Sequence, residues 1–216
     1  MSTLKIKVIV GSTRANRFSE KPTQWILDLA KKRTDFDVEL LDLRDYPLPF
    51  FEEAMPPGLA KDGYTTPAVV KWRDKIREAD GFIIVTPEYN HGYPAVLKNA
   101  LDYTYFAWAR KAVAFVSWGS AGGARGVEQL RSVAIELDMS QLDDALVLEL
   151  PVGLGNRVGI DDELLGQRPD ARQLFAGPQR AGLDGVFHLL HQLEVDRHAR
   201  RGIRLEEHHC ATELIQ

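Results

Sequence analysis

The chain has 216 residues, 44% of them hydrophobic, and its 27 Lys and Arg against 31 Asp and Glu leave a net charge of −4. That length supports one well-buried domain, and the mild negative charge argues against bulk electrostatic binding to nucleic acid or an anionic membrane. No apolar run approaches the roughly 20 residues that span a bilayer. Cys210 is the single cysteine, so no internal disulfide forms and a reducing cytoplasm is the expected home. The N-terminal stretch enters a strand pattern at once, without the apolar core of a signal peptide.

Leu4 to Val10 predicts the first strand, ended by Gly11-Ser12-Thr13. Pro22, Trp25, Ile26 and Leu29 then recur three and four apart, the stripe of a helix facing a sheet. Val38 to Leu43 predicts the second strand. Residues 44–66 contain Pro47, Pro49, Pro56, Pro57 and Gly58. Each proline removes a donor and pushes its predecessor out of the α region, so no helix is expected there. A connection of this length is expected to be functional or disordered. Val69, Trp72, Ile76 and Ala79 mark the next helix, followed by an apolar strand at 81–86. A helix from Pro94 to Tyr103 comes next, with proline at its first position, where a missing N–H costs nothing.

Ala112 to Ser117 predicts a fourth strand, and Val127, Leu130, Ala134 and Leu137 a fourth helix. Ala145 to Leu150 predicts a fifth strand, and Leu183, Phe187, Leu190 and Leu193 a last helix to about residue 200. Residues 151–180 have weak periodicity and read as irregular connection. Strands alternating with helices imply βαβ crossovers and a parallel sheet. The expected α/β architecture is therefore a doubly wound, flavodoxin-like domain over residues 1–216. Its five-stranded parallel sheet has the order 2-1-3-4-5 with helices on both faces, and residues 151–216 form an irregular extension.

Three loops fall on the carboxyl edge of such a sheet. The first, Gly11 to Ser19, offers a helix N-terminus, the hydroxyls of Ser12 and Ser19, and the guanidinium groups of Arg14 and Arg17. This is chemistry for a phosphate monoester, although a capped helix with two solvated arginines reads as well from these residues alone. It is neither a Walker A loop nor G-x-G-x-x-G. The second, Pro87 to Gly92, places Tyr89 and His91 where the third strand ends; each alone reads equally as packing or surface. The third, Ser117-Trp-Gly-Ser-Ala-Gly-Gly-Ala124, has three glycines that let a ligand approach the main chain. In this strand order the crevice opens between strands 1 and 3, so the first two loops face each other across it.

The segment Thr86 to Asp102, with Gly11-Ser-Thr-Arg14 and Gly122-Gly-Ala-Arg125 in their expected places, resembles the NADPH-dependent FMN reductase family of flavin-dependent quinone, azo-dye and chromate reductases. The resemblance covers about residues 4–150. It implies that Ser12, Arg14, Arg17 and Ser19 hold the FMN phosphate, and that Phe18 also binds the cofactor. It also implies that Pro87, Glu88, Tyr89 and Asn90 line the isoalloxazine ring, and that Ser117, Trp118, Gly119, Gly122 and Gly123 close the ribityl and pyrimidine side. Tyr89 and His91 are expected to face the second substrate. Arg17 stands where many relatives carry serine, and Trp118 where tyrosine is common.

The reaction so implied passes a hydride from NADPH or NADH to FMN, and electrons onward to a quinone, azo compound, metal oxyanion or free flavin. No acid–base dyad is needed and none is found. Both substrates would use one ring face, which implies ping-pong order and leaves the protein no catalytic residue of its own. A flavodoxin-type electron carrier is the main alternative, but it would need a strongly acidic docking face. A nucleotide-binding module of another kind is a second. Family resemblance also implies a homodimer or homotetramer, in keeping with the aromatic run Tyr103 to Trp108. The basic stretch Arg197 to Arg204 reads as a complement to a helix C-terminus rather than a nucleic-acid patch. His188, His191 and His208 to Cys210 match no zinc spacing, so no metal site is expected.

Overall fold

A computed structural model describes residues 3–141 and 146–149. In chain order its elements are β1 (Leu4–Val10), α1 (Glu20–Ala30), β2 (Phe36–Asp42), a 3-10 turn (Leu43–Asp45), α2 (Pro57–Ala60), α3 (Pro67–Glu78), β3 (Gly81–Pro87), α4 (Ala95–Asp102), β4 (Ala112–Gly119), α5 (Ala124–Glu136), β5 (Ser140–Gln141) and β6 (Leu146–Glu149). The strands pair in parallel in the order β2-β1-β3-β4. Two short pieces share the fifth position: β5 pairs with Ala112 and Val113, and β6 with Val116 to Gly119. The predicted order 2-1-3-4-5 therefore holds, with β6 lying inside the strand expected at 145–150 and β5 an unpredicted short piece.

All seven residues of β3 are buried, as a strand covered on both faces requires. Ile9, Phe82, Ile84, Val113 and Phe115 point to one face, against Trp72 and Ile76 of α3, Leu97 and Leu101 of α4, and Val127 and Leu130 of α5. Ile6, Val8, Ile83, Val85, Ala114 and Val116 point to the other, where Ile26, Leu27 and Leu29 of α1 pack. Trp72 and Trp108 are wholly buried, and their indole N–H groups donate to the carbonyls of Ala100 and Leu101 at 2.8 and 3.2 Å. Burying two indoles without orphaning their donors is what lets these rings fill the layer between sheet and helices.

Two expectations are corrected. A single helical turn, α2, forms within the proline-rich segment because Pro57 takes a first-turn position, where its missing N–H is no loss. Pro94 precedes α4 rather than opening it: its ψ of 141° is extended and the helix begins at Ala95. The long connection is also fastened down. Asn99 accepts from Phe51 N–H at 2.9 Å and donates to Pro49 C=O at 2.7 Å, and Tyr103 donates to Phe50 C=O at 3.1 Å. The aromatic run divides: Tyr103 and Trp108 pack within their own chain, while Phe106 stays 49% exposed.

The expected last helix, the irregular connection at 151–180, the basic stretch 197–204, and His188, His191 and His208 to Cys210 lie outside the described residues. Among the described residues, no helix is long and apolar enough to cross a membrane.

Lys111, just before β4, reaches back to the last turn of α3, donating to Ile76 C=O at 2.6 Å and Arg77 C=O at 3.1 Å. Burial pushes its pKa down to about 8, against about 10.4 for an unfolded lysine. Between those values the unfolded chain binds more protons, so this group makes stability rise with pH and surrender that gain as pH falls toward 8. The urea midpoint of the wild type is therefore expected to climb relative to Lys111→Met between about pH 8 and 10. A constant difference across that window would contradict this.

Candidate functional site

The carboxyl ends of β1, β3 and β4 lie side by side, and the strand order reverses between β1 and β3. The loop after β1 begins with Gly11, whose N–H donates to Val85 C=O at 2.8 Å. A Cβ there would lie 2.9 Å from Leu97 Cδ2 and 3.2 Å from Val85 C=O, so a larger residue would have to displace Leu97 where β1 leaves the sheet close to α4. Ser12 is buried, and its Oγ sits 2.9 Å from the Tyr89 hydroxyl, joining the first loop to the second. Phe18 meets Trp118 edge to face, ring centroids 5.9 Å apart, joining the first loop to the third.

Arg17 is placed differently from Arg14. Its side chain is 4% exposed and forms a two-armed ion pair with Asp42 at the end of β2, while Nη1 also donates to Ser12 C=O. Burial, the largest single influence, would raise the Asp42 pKa, but the hydrogen bonds from Arg17 and Arg44 N–H together with the positive charge of both arginines hold the carboxyl below its ordinary value. Hydrogen bonding to Asp42 likewise raises Arg17. The Arg14 side chain is exposed and forms no ion pair among the described residues; its carbonyl accepts from Arg44 at 2.6 Å. Ser19 precedes α1, and its Oγ is buried without a hydrogen-bond partner, as are Arg17 Nε and Thr23 Oγ1.

The second loop closes as a two-residue hairpin turn. Tyr89 N–H donates to Gly92 C=O at 2.7 Å and Gly92 N–H to Tyr89 C=O at 3.0 Å. Asn90 and His91 have φ of 50° and 68°, the paired positive values of a type I′ turn. Asn and His are among the non-glycine residues that enter that region most readily, and outside contacts also hold the turn. Gln129 supplies one, donating to His91 C=O at 3.0 Å. Arg125 supplies another: its Nη1 lies 2.6 Å from His91 Nε2. A guanidinium only donates, so Nε2 accepts and the ring proton sits on Nδ1.

Glu88 locks the second loop to the third. Its N–H donates to Trp118 C=O at 3.0 Å, while its carboxylate accepts from Arg125 N–H at 3.2 Å and pairs with the Arg125 guanidinium. That carboxylate meets the first turn of α5, where backbone N–H groups favour negative charge. In the third loop, Ser117 Oγ donates to Gly122 C=O at 2.9 Å, and Gly123 has φ 81°. The three loops thus touch pairwise, bringing Ser12, Phe18, Tyr89, Glu88 and Trp118 together. Tyr89 is 37% exposed and His91 is exposed, at the open side of the cluster.

Sequence reasoning missed Asp42, Arg44 and Arg125 as members of this cluster. Asp42 had one usable signal: it stands one residue before the end of the predicted Val38 to Leu43 strand, which borders β1 in the expected order.

The family model described as NADPH-dependent FMN reductase matches residues 4–150. The chain belongs to that family. It is 43% identical over 149 residues to an NAD(P)H-dependent FMN reductase of Schizosaccharomyces pombe, covering 69% of this chain and 74% of that protein. It is 33% identical over 141 residues to an NAD(P)H:quinone oxidoreductase of Solanum tuberosum, covering 63% and 70% respectively. Among solved structures it resembles FerB, a flavoenzyme NAD(P)H:(acceptor) oxidoreductase of Paracoccus denitrificans. The TM-score there is 0.58 at 22% identity, over 86% of this chain and 98% of that one, which speaks to fold alone.

The loops of this FMN reductase family member suit such a cofactor. The orphaned hydroxyls of Ser19 and Thr23 at the start of α1 suit a phosphate, and Gly119 and Gly123 let the third loop close tightly on Glu88 and Ser117. A Cβ on Gly123 would come within 2.8 Å of Ser117 Cβ. Gly123→Ala is accordingly expected to cost about 1–3 kcal/mol from the left-handed backbone and to weaken FMN binding. Urea unfolding and flavin fluorescence titration read the two effects, and an unchanged urea midpoint would show that the loop is not under this constraint.

Proposed function

We propose that this chain oxidises NAD(P)H through bound FMN and reduces a small-molecule acceptor of the quinone class. The observation that carries the reading is the pairwise contact of the three loops at the switch point between β1 and β3, with glycines at the third. When bound, FMN supplies the redox chemistry, taking a hydride equivalent from the nicotinamide and returning electrons to the acceptor. The protein's part is to bind, orient and screen.

In this reading Ser12, Arg14, Phe18 and Ser19 surround the phosphate, with Arg14 supplying the accessible charge. The main chain from Pro87 to Asn90 forms the wall beside the ring. Ser117, Trp118, Gly119, Gly122 and Gly123 close the opposite side, where backbone N–H groups favour the negative charge that reduction brings. Tyr89 and His91, on the open side, meet the incoming substrate. One open side serves donor and acceptor in turn, so the kinetic order is ping-pong. We assign the quinone class because relatives 33% and 34% identical to this chain bear that activity in their names. A homodimer or homotetramer in a reducing cytoplasm completes the proposal, with exposed Phe50, Leu59 and Phe106 as apolar surface for a second copy.

The visible spectrum of the purified protein is the first test. A flavin band that bleaches on anaerobic NADPH and returns on adding a quinone is expected. No band, even after FMN is supplied, would overturn the assignment. Double-reciprocal plots at several quinone concentrations are expected to be parallel; lines that cross would exclude ping-pong order.

A further inference from the structure

We propose that Arg17 is a positioning residue rather than a phosphate ligand, and that with Asp42 it clamps the first loop into its FMN-binding shape. The proposal rests on the FMN reading above and specifies one residue's role within it.

The Arg17 side chain is turned inward and 4% exposed. Nη1 and Nη2 face the two oxygens of Asp42, and Nη1 also reaches Ser12 C=O, five residues back along the loop. Nε points toward Glu20, 3.6 Å away. One planar fork therefore ties together the start of the loop, its end and the tip of β2. Lysine cannot reproduce this pattern, because its ammonium is a point charge without the fork geometry. Asp42 also accepts from Arg44 N–H at 3.0 Å, and Arg44 holds Arg14 C=O and approaches Glu20 at 3.4 Å. The end of β2 thus braces the loop at Ser12, Arg14 and Glu20. Through Ser12 the brace extends to the Tyr89 hydroxyl, on the ring side of the site.

Charge accounting agrees. The buried Arg17 is matched by the half-buried carboxylate of Asp42, whereas Arg14 is exposed and unmatched among the described residues. Arg14 is the side chain positioned to read a dianionic phosphate, and Arg17 sets where Arg14 and Ser12 stand.

The two roles predict opposite outcomes when Asp42 is neutralised. The experiment measures dissociation constants of FMN and riboflavin by flavin fluorescence for wild type, Asp42→Asn, Arg17→Met, the double variant, Arg17→Lys and Arg14→Met. The ratio of the two constants isolates phosphate recognition from ring binding. As a clamp, Asp42→Asn and Arg17→Met each lower the FMN preference by roughly tenfold, and the double variant loses no more, because both remove one coupled pair. Arg17→Lys falls with them, since it keeps the charge and loses the fork. Arg14→Met lowers the preference at least as far.

Asp42→Asn with unchanged or tighter FMN binding would show Arg17 released onto the phosphate and would overturn the proposal. Additive losses in the double variant would also overturn it, as would an Arg17→Lys variant that keeps the wild-type ratio. A ratio unmoved by every Arg17 and Asp42 variant would reduce the pair to a fold contact and equally overturn it. If Arg17→Met or Asp42→Asn fails to fold, Arg17→Lys decides alone. Wild-type protein that binds neither flavin would instead remove the FMN reading, and the clamp with it.

Discussion

Everything at this site depends on the parallel pairing of β1, β3 and β4. A parallel ladder sends every strand the same way, so all carboxyl ends share one edge and all connecting helices return across a face. Val10 pairs with Val85 and Pro87 with Trp118. These two registers bring loops that start at residues 11, 88 and 120 into mutual contact. Both faces of the ladder must be covered, which is why its strands are nearly continuous apolar runs and why polar chemistry appears only where they end.

At that edge the chain uses two carboxylates in the same manner. Asp42 ends β2 and holds Arg17; Glu88 follows β3 and holds Arg125. One member of each pair is buried, the Arg17 and Glu88 side chains being 4% exposed, while Asp42 is 19% and Arg125 36% exposed. Buried ion pairs add little net stability against an apolar replacement, because desolvation offsets attraction. Their strength is geometric, since a two-armed guanidinium–carboxylate pair fixes distance and plane together. Loops so tied are ordered before any ligand arrives, which lowers the entropic cost of binding.

Much of this was readable in the residues. The 3.6-residue stripes at Val69, Trp72 and Ile76, and at Val127, Leu130 and Ala134, report helices because each needed one apolar face. The run Gly81 to Thr86 reports a doubly covered strand. The proline-rich segment was legible only in part. Pro57 looked like a helix breaker, yet it stands where the helix has no use for its N–H. The anchors that order this segment, Asn99 and Tyr103, lie about 50 residues further on and carry no local mark. At the fifth position, β6 falls inside the strand expected at 145–150, whereas β5 was hidden for the same reason: it is defined by pairing with β4 and by nothing in its own pattern.

Residue order by itself determined the alternation of elements, the strand order and the three loops at one edge. These follow from periodicity and turn chemistry, which act over a few residues at a time. Only the tertiary structure decided what each polar side chain in those loops faces. Arg14 and Arg17 are alike in the sequence, three residues apart on one loop. One is exposed, and the other is turned onto Asp42 by a strand that returns beside β1. A charge takes its role from the partner that folding brings within hydrogen-bond distance, and that partner is 25 residues away along the chain.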